Sequence, residues 1–417
     1  MRLRHRAIST HTRRPGLAAM AVLATTTLAA AMLAGPASPA AAAGPASGAI
    51  GEILGAGSAT AVPGSYIVTL KESAVGDRTT VSGVVGGLAG RYGVNPDQVW
   101  GDALNGFSVR TSEAVARRLA ADRAVAHVEQ DRLTTLATTQ QNAPWNLDRI
   151  DAPLGLSGTY SYASQGTGVR AYIVDSGINI AHQNFGGQAI YGYDAVDGML
   201  PADDCSGHGT HAAGTVGGTT YGVAKDVVLV AVKVFDCVLP STLSILISGI
   251  NWMVVDHQAG QPAVANIGIQ STLNNALNTA VANAVADGIT VTVPAGNSNA
   301  NACNFSPGSV PTVLTVAATQ SNDSRASFSN YGPCVDIFAP GVGIMSTWIN
   351  STTAVQSLSG TSHAAPHVAG AAARVLSNYP TWTPAQVTSF LFGVANPAVL
   401  NPGAGSPNWL LYLAPTF

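Results

Sequence analysis

Three short segments, far apart in the chain, carry the side-chain types that acyl transfer requires. Asp175 closes the apolar run Ala171-Tyr172-Ile173-Val174 and precedes Ser176-Gly177. His208 stands in Gly207-His208-Gly209-Thr210-His211-Ala212-Ala213-Gly214. Ser362 stands in Gly360-Thr361-Ser362-His363-Ala364-Ala365-Pro366-His367. A serine hydroxyl is a weak nucleophile at neutral pH. It needs an imidazole to take its proton and a carboxylate to hold that imidazole in the right tautomer. Here acid, base and nucleophile occur in the order Asp, His, Ser, one of three unrelated orders in which this chemistry is built. A fourth segment, Val293-Pro294-Ala295-Gly296-Asn297, follows the apolar run from Gly288 to Thr292. An Asn amide beside a backbone N–H is a donor pair for the oxyanion of a tetrahedral intermediate.

Each segment also has a plainer reading. Asp at a strand end is commonly a turn residue, Ser at a helix start an N-cap, and Gly-Asn a turn. The pairs His208/His211 and His363/His367 have spacings seen in zinc sites. The first pair is i, i+3 with no HExxH glutamate, and Pro366 interrupts the second. All pieces together, in one order and each at a strand or helix end, favour acyl transfer.

These residues must be positioned by a layered scaffold. From about residue 138 to 417, apolar strands alternate with Ala-rich helical stretches. Asp226 to Val232 reads as a strand and Leu243 to Val255 as a helix; Ala263 to Ile269 and Ala276 to Ala286 repeat the pair. That βαβ rhythm predicts an α/β fold, a mostly parallel sheet with helices on both faces. The length allows one domain with a large core. The apolar runs read as buried strands, not membrane spans. This part has roughly thirteen acids, all Asp, against Arg149, Arg170, Lys225, Lys233, Arg325 and Arg374. No basic patch is offered to nucleic acid or an anionic membrane.

The N-terminal third differs. Arg2, Arg4, Arg6, Arg13 and Arg14 precede an apolar stretch from about Leu17 to Leu33, then small residues from Ala37 to Ala43. This reads as an export signal over residues 1–43, and the stretch is short and alanine-rich for a membrane anchor. Arg13-Arg14 leaves Sec and twin-arginine export both open. Residues 44–137, with a folded core from about 64, read as a small α+β unit. Ser65 to Leu70 alternates like a strand, Ser112 to Leu119 reads as a capped amphipathic helix, and Ala126 to Asp131 as a closing strand. The four cysteines, Cys205, Cys237, Cys303 and Cys334, all lie after residue 138. An even count behind an export signal favours disulfides, with three pairings open.

The segments around Asp175, His208, Ser362 and Asn297 make the chain resemble a subtilase, and more narrowly the proteinase K and aqualysin branch. Trp145 to Asp151, Ala326 to Gly332 and Phe338 to Gly341 extend the resemblance over nearly everything after the signal. The resemblance implies a secreted serine endopeptidase acting on polypeptides, made as a zymogen. Asp175 would orient His208, His208 would act as general base, and Ser362 would be the nucleophile. Asn297 and the Ser362 N–H would form the oxyanion hole. Residues 44–137 would be an inhibitory prodomain, and 138–417 the catalytic domain. The tail Thr134-Thr135-Leu136-Ala137 would lie in the active site and be cut there. Further implications are bridges Cys205–Cys237 and Cys303–Cys334, and a structural Ca2+ held by the Pro311 and Val313 carbonyls and Asp336. A monomer is expected, with no cofactor for catalysis.

The chain departs from the family in three places. His363 stands where Met is usual beside the nucleophile. Gly268-Ile269-Gln270-Ser271 stands where Ser-Leu-Gly-Gly lines the substrate groove, so Gln270 brings a side chain to the rim of the first specificity pocket beside Ala295-Gly296. Leu239-Pro240-Ser241 replaces Gly-Ser-Gly on the opposite edge, and Pro240 has no N–H for a substrate strand. These departures support an alternative, a catalytically weak binding protein on the same fold.

Overall fold

A computed structural model describes residues 50–56, 61–76, 78–132, 137–237 and 241–417. The expected signal segment, most of the tail 134–137, and Leu239 and Pro240 lie outside these residues.

The N-terminal unit is a five-stranded sheet with two helices. Its strands are β1 (Ile53–Leu54), β2 (Ala61–Leu70), β3 (Pro96–Trp100), β4 (Gly106–Arg110) and β5 (Val125–Arg132), in the order β1-β5-β2-β4-β3. Helix α1 (Arg78–Tyr92) follows β2, and α2 (Glu113–Ala120) follows β4. Alternation decides what β2 buries: Tyr66, Val68 and Leu70 face a core with Phe107, Val109, Leu119 and Val128. The expected elements are present. The sheet begins at Ile53 rather than near residue 64, because β1 adds to the edge of β5. Ser112 sits at the N-cap of α2 but makes no side-chain capping bond.

Next come β6 (Thr138–Gln141), α3 (Trp145–Asp151) and β7 (Thr159–Tyr162), with β6 and β7 antiparallel. The main sheet then forms from β8 (Arg170–Asp175), β9 (Ala189–Asp194), β10 (Val228–Lys233), β11 (Ala263–Ile267), β13 (Thr290–Pro294), β15 (Leu314–Thr319) and β16 (Ile337–Pro340). Short pairs lie outside it: β12 (Ser271–Thr272) with β14 (Phe305–Ser306), and β17 (Ile344–Thr347) with β18 (Val355–Leu358). The sheet order is β16-β15-β13-β11-β8-β10-β9, and every pairing in it is parallel. Parallel strands need crossovers, which the helices α4 (His208–Gly217), α5 (Leu243–Asp256) and α6 (Asn275–Ala286) supply; α7 (Thr361–Asn378) and α8 (Pro384–Val394) follow.

Two apolar cores sandwich the sheet. One packs Ala171, Ile173, Val264 and Val316 against α4 and α7; the other packs Tyr172, Val174, Val291 and Val293 against α5 and α6. Successive residues of β8 thus point to opposite layers, which is why the whole run is apolar. The fold is the expected α/β architecture. Disulfides join Cys205 to Cys237 and Cys303 to Cys334, with Cα separations of 5.4 and 5.2 Å.

Candidate active site

In an open parallel sheet, the crevice lies beyond the carboxyl ends of the strands. Asp175 is the last residue of β8, His208 the first of α4, and Ser362 the second of α7. Asn297 lies three residues beyond β13.

The three side chains form a chain of hydrogen bonds. His208 Nδ1 lies 2.8 and 2.9 Å from the two oxygens of Asp175, and Nε2 lies 3.0 Å from Ser362 Oγ. Facing a carboxylate, Nδ1 carries the proton; Nε2 is left as acceptor for the serine hydroxyl. Asp175 is buried and also accepts the Ser176 N–H at 2.8 Å. Its negative charge holds the His208 pKa above the ordinary histidine value, against the opposing effect of burial; their hydrogen bond and Asp204 add to the rise. Ser362 is not the N-cap, a place taken by Gly360. Its hydroxyl turns to the imidazole instead of the backbone.

Asn297 is held by its oxygen. Oδ1 accepts from both the N–H and the hydroxyl of Thr361, each at 2.9 Å. That leaves the Nδ2 donors for the cleft beside Ser362. The Ser362 N–H belongs to the first turn of α7, where N–H groups lack intrahelical acceptors. Thr361 is a residue that sequence reasoning missed. Another is Asp204. Its Oδ1 accepts from Ser176 Oγ and from the N–H groups of Ser206 and Gly207, each at 2.9 Å. Its Oδ2 accepts from Thr210 N at 2.8 Å and Oγ1 at 2.6 Å. Ser176 Oγ in turn accepts the Gly209 N–H at 2.9 Å. One carboxylate thus ties the residue after Asp175 to the helix start that bears His208. Asp204 stands three residues before the N-cap Gly207, outside the ordinary capping position, so the helix start alone did not point to it.

His363 is buried beside this chain, its ring centroid 5.1 Å from that of His208. Its Nδ1 lies 3.2 Å from His211 Nδ1. His211 Nε2 is 2.9 Å from the Ile344 carbonyl, so it carries the proton there, and His363 must donate from Nδ1. The Ser362 hydroxyl faces His208 rather than His363. His367 donates from Nδ1 to the His363 carbonyl at 3.0 Å, and its Nε2 lies 2.8 Å from Asn146 Nδ2. The histidine pairs with zinc-like spacing are thereby engaged with protein partners. Burial, with repulsion from neighbouring imidazoles, pushes His363 down to about 2. Burial is also the main cause that lowers His211 and His367 to about 4 each.

The expected groove residues flank the same point. Gly268, Ile269 and Gln270 follow β11, and with Asp175, His208 and Phe235 they line a cleft of about 350 Å³. A Cβ on Gly268 would overlap Asp175 Oδ2 as the acid now stands, so the glycine lets this segment pack closely against the acid. Gln270 turns toward Gly296, next to Ala295 and Asn297. At the expected metal position, Asp336 is largely buried and pinned to the start of β15. Its Oδ2 accepts the Thr315 N–H at 2.8 Å, its single donor among the described residues. Burial raises its pKa to about 6. Pro311 and Val313 lie just before β15.

Of the tail expected to be cut, only Ala137 is among the described residues. Thr138 to Gln141 pair with Tyr162 to Thr159. Tyr160 receives a hydrogen bond from Arg374 at 2.8 Å. Arg374 lies twelve residues beyond Ser362 along α7, about 18 Å away. Arg132 also lies at that end, 4.7 Å over the Tyr379 ring. The bond after Ala137 is therefore remote from Ser362, because β6 gains a strand partner on the far side.

The profile of the subtilase family, Peptidase_S8, matches residues 166–405. The chain is 46% identical over 378 residues to an extracellular serine proteinase of Thermus sp. (strain Rt41A), covering 86% of this chain and 92% of that protein. It is 45% identical over 295 residues to alkaline protease 1 of Aspergillus clavatus, covering 69% and 72%. The crystal structure of a cold adapted subtilisin-like serine proteinase superposes with a TM-score of 0.64 at 46% identity, covering 66% of this chain and all of that one.

Proposed function

The chain belongs to the subtilase family and is a secreted serine endopeptidase, and from that premise we propose that Asp175, His208 and Ser362 are its triad. The observation that carries this is the unbroken contact chain from Asp175 through His208 to Ser362 Oγ. On attack, His208 Nε2 takes the hydroxyl proton as Oγ bonds to the peptide carbonyl carbon. Asp175 stabilises the resulting imidazolium and does not itself become protonated. The carbonyl oxygen becomes an oxyanion, met by Asn297 Nδ2 and the Ser362 N–H; Thr361 holds Asn297 in place in advance of the reaction. His208 then returns the proton to the leaving amine, and water repeats the cycle on the acyl-enzyme. A fluorophosphonate probe is expected to label Ser362 in the mature protein, unaffected by a zinc chelator. Labelling that survives Ser362→Ala would overturn the assignment.

The N-terminal unit, residues 44–137, acts as an inhibitory prodomain that the enzyme removes itself. Support comes from its separate apolar core and its own five-stranded sheet. Since β6 is paired with β7 far from Ser362, self-cleavage requires β6 to leave β7. Ser362→Ala should then yield a precursor that keeps its prodomain in a host without other proteases.

A calcium ion held by the Pro311 and Val313 carbonyls and Asp336 is part of this reading. The residues fit in kind: a largely buried carboxylate with one donor, pinned to β15 just after Pro311 and Val313, is a hard oxygen ligand that a divalent cation would neutralise. When bound, the ion would supply charge compensation for the buried Asp336 carboxylate. Chelation should lower the melting temperature and speed autolysis; if both stay unchanged, no ion is held there.

A further inference from the structure

Gln270 is placed where a peptide substrate must put a side chain. The reacting carbonyl sits between Ser362 Oγ and Asn297 Nδ2, so the side chain on the adjoining Cα falls against the residues flanking Asn297. Gly296 is one of them. Its φ of +106° and the crowding around it both demand glycine, since a Cβ would overlap Gln270 Nε2 and Asn330 Nδ2. Asn330 is satisfied: its Nδ2 donates to the Ala295 carbonyl at 2.8 Å, and its Oδ1 accepts from Ser298 and Ala300. Gln270 is not. Its Nε2 is shielded from solvent and has no hydrogen-bond partner. A buried amide without a partner is costly, and a side chain that pairs with it recovers that cost on binding.

We propose that Gln270 sets the specificity of this protease for the residue before the scissile bond, selecting a carboxamide side chain, Gln or Asn, over a large aromatic one. This rests on the triad assignment above. Two carboxamides pair reciprocally, N–H to C=O in both directions, whichever way Gln270 is turned. The amide also occupies depth that an aromatic ring would need. A substrate carboxylate is disfavoured, because neither Gly268 to Gln270 nor Ala295 to Asn297 carries a cation to pair with it. A site built around a hydrogen bond rejects ligands lacking it far more strongly than an apolar pocket rejects a misfit.

The test uses tetrapeptide anilides that differ only in the last residue, Gln, Asn, Leu or Phe. Rates are normalised to sites counted by fluorophosphonate labelling. Wild type should show kcat/KM at least tenfold higher for Gln than for Phe. Gln270→Gly should reverse that order by opening the slot. Gln270→Met, of similar length without an amide, should lose the Gln preference without gaining Phe, which separates pairing from volume. Labelled wild type that cuts Phe as fast as Gln, or a Gln270→Met enzyme that keeps the Gln preference, overturns the inference alone. Wild type that does not label overturns the triad reading with it.

Discussion

At the scale of single residues, the site is a set of protonation states enforced by neighbours. His208 works only when neutral, and Asp175 raises its pKa above the ordinary value. The acid limb of kcat/KM should therefore lie above pH 6.5, with activity growing as pH rises through it. Asp175→Asn removes the raising charge, so the limb should move to lower pH while kcat falls about 10⁴-fold. His363, His211 and His367 respond in the opposite sense. Their native pKa values are depressed, so the unfolded chain binds protons below pH 6.5 that the native state refuses. Stability is full above that pH and falls as pH drops toward about 4. Each contributes a loss of about 2 kcal/mol at pH 5. His363→Met should shift the acid-unfolding midpoint, followed by circular dichroism, to lower pH. The same variant should inactivate faster in peroxide, because a thioether beside Ser362 forms a sulfoxide and an imidazole does not. Equal peroxide half-lives would show that position 363 is not the oxidised site.

At the scale of elements, two devices matter. Asp204 gathers the start of α4 and the residue after β8 onto one carboxylate. Asp204→Ala would leave several buried donors without acceptors, costing about 3 kcal/mol or more. Denaturant melts should show that loss, and kcat should fall more than KM rises, since the His208 to Asp175 geometry loosens. The second device is β6. Thr139 and Ser161 face each other across the β6–β7 pair, their hydroxyls 3.0 Å apart. Directly opposed strand residues have Cα separations that a disulfide can bridge. A Thr139→Cys/Ser161→Cys precursor should stay unprocessed while oxidised and process on mild reduction, read by gel shift. Processing of the oxidised form would show that β6 need not leave β7.

At the scale of the whole molecule, low charge and two covalent loops suit a protein that works outside the cell. The bridges span sequence separations of 32 and 31 residues. Replacing either pair by serines should cost about 2–4 kcal/mol by shifting the denaturant midpoint. Cys205 lies beside the Asp204 network, so losing its bridge should lower activity as well as stability. Cys303–Cys334 lies near Asp336, so losing it should weaken the calcium site proposed there, read as a smaller effect of chelator on the melting temperature.

The amino-acid sequence alone determined the chemistry and the class of scaffold, because both are written locally. An apolar run ending in Asp, a glycine-rich helix start bearing His, and a Gly-Thr-Ser helix entry each reveal a type of group and the element holding it. Alternating strand and helix patterns imply the parallel sheet. The bridge pairing came from family resemblance, since spacing left three choices open. Only the tertiary structure decided which groups meet. Asp175 and His208 are 33 residues apart, His208 and Ser362 are 154 apart, and His211 and His363 are 152 apart. No local pattern shows that His363 turns away from the serine, that Thr361 orients Asn297, or that Gln270 closes on Gly296. Nor does any local pattern show that β6 prefers β7 to the cleft. Those choices are made by packing between strands distant in sequence, where burial leaves each polar group few partners and so makes each pairing specific.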